Sequence, residues 1–77
     1  MNFKRITFDQ DQLGGQACIR GLRIPVATVL RCVADGMSRK EILDAYPDLE
    51  EEDVFESLRY AASLAEDRVV PLQQTKR

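Results

Sequence analysis

Residues 33–55, VADGMSRKEILDAYPDLEEEDVF, contain the end of one predicted helix, the whole of a second and the start of a third. Gly36 stands where a helix C-terminus favours a residue with left-handed backbone. Ser38 and Glu41 have the spacing of a capping box, which predicts that the second helix begins here. Pro47 ends that helix, and the acidic run after it favours the N-terminus of a third. Joints this tight are typical of consecutive helices that pack against one another.

The apolar pattern continues on both sides of this stretch and predicts helices of about ten, nine and sixteen residues. Pro25 favours the start of the first helix. Its apolar face is predicted to consist of Val26, Val29, Leu30, Val33 and Met37. The second helix is predicted to bury Ile42, Leu43 and Tyr46. The third is predicted to bury Val54, Phe55, Leu58, Ala61, Ala62 and Ala65.

A β-hairpin is predicted before the helices. Residues 4–8, KRITF, alternate in polarity and place Ile6 and Phe8 on one face of a short strand. Residues 9–15, DQDQLGG, are typical of a turn, and ACI at 17–19 can return as the second strand. Because an isolated hairpin is marginal in water, we expect it to pack on the helices or to pair with another chain.

The composition predicts one small soluble domain. The chain has 77 residues, of which 44% are hydrophobic and 31% charged. It has no apolar run of membrane-spanning length and no signal-peptide core, so we expect a cytoplasmic protein whose cysteines, Cys18 and Cys32, are reduced. We expect a single domain over 1–77, divided into a hairpin arm (3–24), a three-helix core (25–66) and a C-terminal tail (67–77).

The residues expected of an enzyme are missing. The sequence has no histidine, no clustered metal ligands and no nucleophile with a base at a useful spacing. Gly14, Gly15 and Gly21 fit neither a phosphate-binding loop nor a dinucleotide fingerprint. We therefore expect no catalytic activity, no cofactor and no metal.

Three segments carry a resemblance to a known family: GGQACIRGLRIPV at 14–26, VADGMSRKEILDAYPDL at 33–49 and EDVFESLRYAA at 52–62. In these segments the chain resembles the prokaryotic family known as domain of unknown function 433. Its members resemble homeodomain-like helix-turn-helix proteins and include VapB-type antitoxins. The resemblance implies a mainly α, three-helix helix-turn-helix fold, a PIN-like ribonuclease toxin as partner, and repression of the shared operon. This sequence departs from the family at Glu50, where relatives usually have a Thr or Ser that caps the third helix.

Two registers of a helix-turn-helix are open for binding operator DNA. If the third helix is the reader, its leading side chains are carboxylates, which are repelled by the DNA phosphates. If the second helix is the reader, its leading side chains are cationic. The DNA-binding candidates in this second register are Arg31, Arg39 and Lys40. The alternative is that Arg39 and Lys40 only solvate an exposed helix turn.

The charge distribution also suits a protein partner. Residues 1–45 carry seven cations and five acids, whereas residues 46–77 carry four cations and eight acids. An acidic helix start can occupy the cationic RNA track of a ribonuclease, and arginines can pair with its catalytic carboxylates. The partner-binding candidates are Arg20, Arg23, Glu50, Glu51, Glu52, Lys76 and Arg77.

Each of these candidates also has a purely structural interpretation. The acidic run can serve only the helix dipole, and the terminal cations can belong to a frayed end. Arg20 and Arg23 can form salt bridges to nearby acids such as Asp9 or Asp35. We favour a salt bridge for Arg23 and a partner contact for Arg20.

The resemblance therefore implies the antitoxin of a type II toxin–antitoxin pair, with regulation of its operon through the helix-turn-helix as an additional role. The alternatives are a stand-alone helix-turn-helix transcriptional regulator and a dimerisation module that does not bind nucleic acid. A homodimer is expected in each case, with Tyr60 and Arg59 as candidates for self-association.

Overall fold

The computed structural model describes residues 3–66, which form two short strands followed by three helices. The elements are β1 (Ile6–Phe8), β2 (Ala17–Ile19), α1 (Val26–Ala34), α2 (Arg39–Ala45) and α3 (Glu51–Glu66). A mainly helical fold with a small N-terminal antiparallel sheet is thereby confirmed. The helices have nine, seven and sixteen residues, so the first two predicted helices were slightly too long. Within residues 3–66, no helix is both long and apolar enough to cross a membrane.

The two strands are joined by the predicted turn segment, which includes a one-turn 3-10 helix at Leu13–Gly15. Gly14 and Gly15 have φ of +68° and +84°, a region that glycine enters without steric cost. The strands pair antiparallel, with Ile6 opposite Ile19. Ile6 is buried, but Phe8 is 61% exposed. The predicted apolar face of β1 is therefore only partly covered by the rest of the fold.

The joint between α1 and α2 begins with a hydrogen-bonded helix end. Gly36 has φ of +89°, its N–H donates to the Val33 carbonyl at 3.0 Å, and the Met37 N–H donates to the Cys32 carbonyl at 3.1 Å. These two bonds form a Schellman motif, which satisfies carbonyls that the helix itself leaves unpaired. The left-handed residue predicted at Gly36 is confirmed.

The capping box that starts α2 is also confirmed. The Glu41 N–H donates to Ser38 Oγ at 3.1 Å, and the Ser38 N–H donates to Glu41 Oε1 at 2.7 Å. The helix ends at Ala45, two residues before Pro47. Local sequence signals therefore define both ends of α2.

The hydrophobic core joins the hairpin to all three helices. Ile19, Val29 and Ile42 are fully buried at its centre. The other buried apolar residues are Ile6, Cys18, Val26, Leu49 and Val54. Cys18 and the half-buried Cys32 are both free thiols. The hairpin is thus part of the core, in agreement with the expectation that it packs on the helices.

The buried face of α3 differs from the predicted one. Asp53 and Ser57 are fully buried beside Val54. Three predicted members of the face are instead exposed: Leu58, Ala62 and Ala65. The prediction counted apolar residues alone. The carboxylate of Asp53 forms ion pairs with Arg5 and Arg20 inside the fold and can therefore face the core.

Candidate functional site

A cluster of charged side chains lies where the hairpin meets the N-terminus of α3. At its centre the carboxylate of Asp53 is fully buried. Arg20 donates from Nε to Oδ1 at 3.0 Å and from Nη2 to Oδ2 at 2.8 Å, a two-pronged contact. Arg5 Nη1 donates to Oδ1 at 2.9 Å, and the backbone N–H of Glu50 donates to Oδ2 at 2.7 Å. We call Arg5, Arg20, Glu50 and Asp53 the Asp53 cluster.

Hydrogen bonds within the Asp53 cluster connect both strands of the hairpin to α3. Arg5 comes just before β1, and its guanidinium also donates to Glu50 Oε1 at 2.8 Å, while its backbone N–H donates to Glu56 Oε2 at 2.6 Å. Arg20 directly follows β2, and its Nη2 also donates to the Asp48 carbonyl at 2.8 Å. Both oxygens of Asp53 accept hydrogen bonds from within the chain, so the cluster is a structural joint.

The environment fixes the ionisation of the cluster. Burial alone raises the pKa of Asp53, but hydrogen bonds from Arg20, the Glu50 backbone and Arg5 outweigh it and hold that pKa below its ordinary value. Hydrogen bonds to Glu50 and Asp53 raise the pKa of Arg5, and the bond to Asp53 raises the pKa of Arg20. All three side chains are therefore charged at neutral pH.

The acidic run predicted to bind a partner lies on the surface, but each carboxylate has an arginine beside it. Glu50 contacts Arg5, as described above. Glu51 Oε2 is 3.0 Å from Arg39 Nε, and Glu52 Oε2 is 2.9 Å from Arg59 Nη2. The three carboxylate side chains remain more than half exposed. The start of α3 is therefore an exposed set of ion pairs, less acidic than the sequence alone indicates.

The three DNA-binding candidates are not brought together. Arg39 and Lys40 lie at the start of α2, in one shallow cavity, whereas Arg31 lies on α1 and lines different cavities. The Arg39 guanidinium is 4.7 Å from the centre of the Phe55 ring in addition to its pair with Glu51. Lys40 Nζ is 3.2 Å from a carboxylate oxygen of Asp44.

The remaining candidates have different positions. Arg20 makes a salt bridge, but to Asp53 and not to Asp9 or Asp35 as its structural interpretation had it. Arg23 is exposed, and within residues 3–66 it forms no ion pair, so the salt bridge favoured for it is not found there. Lys76 and Arg77 lie outside the described residues.

Sequence reasoning did not predict the intramolecular contacts that four residues of this region make. The residues are Arg5, Asp53, Glu56 and Arg59. One signal was available for Asp53, which stands three residues after Glu50 at the position of an acidic capping-box residue. The pairing with Arg5 and Arg20 joins residues 48 and 33 positions apart, and no local pattern indicates it.

The described residues offer no metal centre. Within residues 3–66, no three Cys, Asp or Glu side chains are grouped so that they could hold a metal ion.

Comparison with known proteins gives a consistent result. The sequence model of the family described as "Protein of unknown function (DUF433)" matches residues 6–61. A curated relative, "Uncharacterized protein y4eO" of Sinorhizobium fredii (strain NBRC 101917 / NGR234), is 41% identical over 49 residues, which are 64% of this chain and 22% of the relative. The crystal structure of a DUF433 member protein from Anabaena variabilis ATCC 29413 has a TM-score of 0.74 and 37% identity. That match covers 80% of this chain and 61% of the solved one, so the chain is shorter than both proteins that it resembles.

Proposed function

The chain belongs to the DUF433 family, and from this premise we propose that it acts by binding a protein, as the antitoxin of a type II toxin–antitoxin pair. The partner in this proposal is a PIN-like ribonuclease. The protein would neutralise that enzyme by occupying its surface for RNA.

The observation that carries the proposal is the pairing of charges at the starts of α2 and α3. Arg39 and Lys40, the cations that a DNA-reading α2 needs, lie against Glu51 and Asp44 at 3.0 Å and 3.2 Å. DNA affinity depends on cations that displace counterions from phosphates, and paired cations contribute less to it. This surface is thus better suited to a protein than to a polyanion.

These ion pairs can be replaced by ion pairs with a partner protein at little cost in free energy. The pairs of Glu51 with Arg39 and of Glu52 with Arg59 join side chains that are about half exposed. Such pairs contribute about 1 kcal/mol or less. A cationic surface of a ribonuclease can therefore take over the carboxylates, and the released arginines can meet its acidic residues.

The proposal is tested by co-purification with the product of the neighbouring reading frame. We expect the tagged wild-type chain to retain that product, and the variant Glu51→Lys with Glu52→Lys to lose it. A matched control reverses two exposed acids elsewhere, Asp11→Lys with Glu66→Lys, and should retain it. Circular dichroism of both variants verifies that the fold is intact.

Two results would contradict the proposal. One is the absence of a PIN-like gene beside this one. The other is retention of the neighbouring product by the folded Glu51→Lys, Glu52→Lys variant, which would exclude the start of α3 as the contact.

A stand-alone helix-turn-helix regulator that reads DNA with α2 is the second candidate. The short joint between α1 and α2 and the exposed side chains of Arg39 and Lys40 favour it. A gel shift with the protein's own promoter tests it, and we expect any specific shift to require both cations. A shift that survives Arg39→Ala with Lys40→Ala would rule out α2 as the reading helix.

A further inference from the structure

One side of α1 is uncovered in the part of the chain that the structure describes. Ala27, Arg31, Ala34 and Asp35 are exposed, and Leu30 is half-buried among them. These five residues line a shallow, open cavity along the helix. Within residues 3–66, this side of α1 is therefore an exposed surface.

An apolar groove adjoins this side of α1 through Ala27 and Leu30. The groove is also lined by Tyr60 and Leu64 of α3 and by Ala17 of β2, and its volume is about 260 Å³. None of its lining residues is charged, and Leu64 is 49% exposed. We call the surface formed by this groove and the adjoining cavity the α1–α3 face.

The exposed ring of Phe8 extends the apolar surface onto the hairpin. Its centroid is 6.2 Å from that of Tyr60. Partly exposed large apolar residues on α1, α3 and β1 are therefore continuous. Contiguous exposed apolar residues of this kind are a feature that protein interfaces use.

Two charged side chains at the end of the α1–α3 face indicate which kind of partner suits it. Arg31 and Asp35 lie one helical turn apart, and within residues 3–66 neither forms an ion pair. A partner surface of one charge sign would match only one of them. A second copy related by a two-fold axis presents the same two residues in reverse order, so each Arg31 can meet the Asp35 of the other copy.

We infer that the α1–α3 face is the interface of a homodimer. The apolar groove with Leu64 supplies the buried area, and two symmetry-related pairs of Arg31 with Asp35 define the orientation. This assignment is independent of the acidic start of α3, so the dimer and the proposed toxin contact use different surfaces.

Charge reversal tests the two-fold arrangement by analytical ultracentrifugation at micromolar protein concentrations. Arg31→Asp and Asp35→Arg each place like charges opposite each other twice, and each should weaken the dimer about tenfold or more. An equimolar mixture of these two variants should form a heterodimer, because every contact is again between opposite charges. The chain that carries both substitutions should also dimerise.

Apolar contact is tested with a pair of variants on α3. Leu64→Lys places a charge in the groove and should weaken the dimer about tenfold or more. Leu58→Lys is the matched control, since Leu58 is also partly exposed on α3 but does not line the groove. It should leave dimerisation unchanged.

A wild-type chain that is monomeric throughout this concentration range would overturn the inference. So would a dimer that the single charge reversals leave intact, or reversed variants that fail to associate when mixed. Dissociation by Leu58→Lys but not by Leu64→Lys would place the interface on another side of α3 and would also overturn it.

Discussion

At the scale of single residues, Arg20 and Asp53 decide how the hairpin meets the helices. Arg20 has φ of +45°, a backbone region that residues other than glycine seldom adopt. Its backbone N–H donates to the Arg5 carbonyl at 2.8 Å, and its guanidinium is held by Asp53 and the Asp48 carbonyl. These bonds compensate the backbone strain, and they place a guanidinium where the buried carboxylate needs one.

Replacement of the buried carboxylate tests this joint. We expect Asp53→Asn to lower the free energy of unfolding by about 2 kcal/mol, because two arginines lose their counter-charge. The loss is no larger because both arginine side chains are partly exposed to water. In a domain of this size such a loss lowers Tm by roughly 10 °C. Thermal unfolding followed by circular dichroism measures it.

Glu52→Gln is the control for the buried position. It removes a carboxylate one residue earlier, but from an exposed ion pair with Arg59, so its effect should stay below about 0.5 kcal/mol. Equal destabilisation by the two variants would show that burial of Asp53 adds nothing to its ion pairs.

Asp53 also predicts a loss of stability in acid. Its pKa in the folded protein lies below the ordinary value of 3.8. The stabilisation is therefore fully present above that value and is lost as the pH falls toward the folded-state pKa. Urea unfolding at pH 7, 4 and 3 should show a steeper decline below pH 4 for the wild type than for Asp53→Asn. Parallel declines would assign the acid sensitivity to other carboxylates.

At the scale of elements, α2 shows how local signals define a short helix. Seven residues are too few for a stable isolated helix, so α2 depends on its ends and on burial of Ile42. The capping box at Ser38 and Glu41 satisfies backbone N–H groups at the N-terminus. These features act within four residues of one another, which is why the sequence predicts them.

The capping box gives a prediction for this element. Ser38→Ala removes the acceptor of the Glu41 N–H bond and should lower the free energy of unfolding by about 1 kcal/mol. Ser63→Ala is a suitable control, since the Ser63 hydroxyl bonds a carbonyl of its own helix and caps no N-terminus. Chemical denaturation of both variants measures the difference, and equal midpoints would contradict a role for the cap.

What could not be predicted involves residues distant in sequence. The helix ends at Gly36 and Ser38 are determined by residues nearby in the sequence, so the succession of helices could be predicted. The buried face of α3 depends on whether Asp53 meets Arg5 and Arg20, which lie 48 and 33 residues away. Without that pairing a carboxylate is placed in solvent and the helix is assigned the wrong face. The pair of Glu50 with Arg5, 45 residues away, was missed for the same reason, whereas Glu52 and Arg59 lie only seven residues apart on α3.

At the scale of the whole molecule, the hairpin and the helices share one hydrophobic core. Ile6, Cys18 and Ile19 of the hairpin are buried in the same core as Val29 and Ile42 of the helices. The hairpin arm also provides both guanidinium groups, those of Arg5 and Arg20, that pair with Asp53. A three-helix segment without it would expose the core and leave a carboxylate without counter-charge in an apolar setting.

The whole-molecule prediction follows from this shared core. We expect residues 25–66 alone to be largely unfolded, with low helicity by far-UV circular dichroism and no cooperative melting transition. A chain of residues 1–66 should melt cooperatively, because every residue of the described core is present in it. Adding Asp53→Ala to the 25–66 segment separates the two causes: it removes the unpaired charge but cannot replace Ile6 and Ile19. The lost burial of each isoleucine costs about 1.5–3 kcal/mol. Because this cost remains after the charge is removed, we expect the variant to stay unfolded as well. A cooperative transition in the unmodified 25–66 segment would instead show that the hairpin is an accessory to a helical core that folds without it.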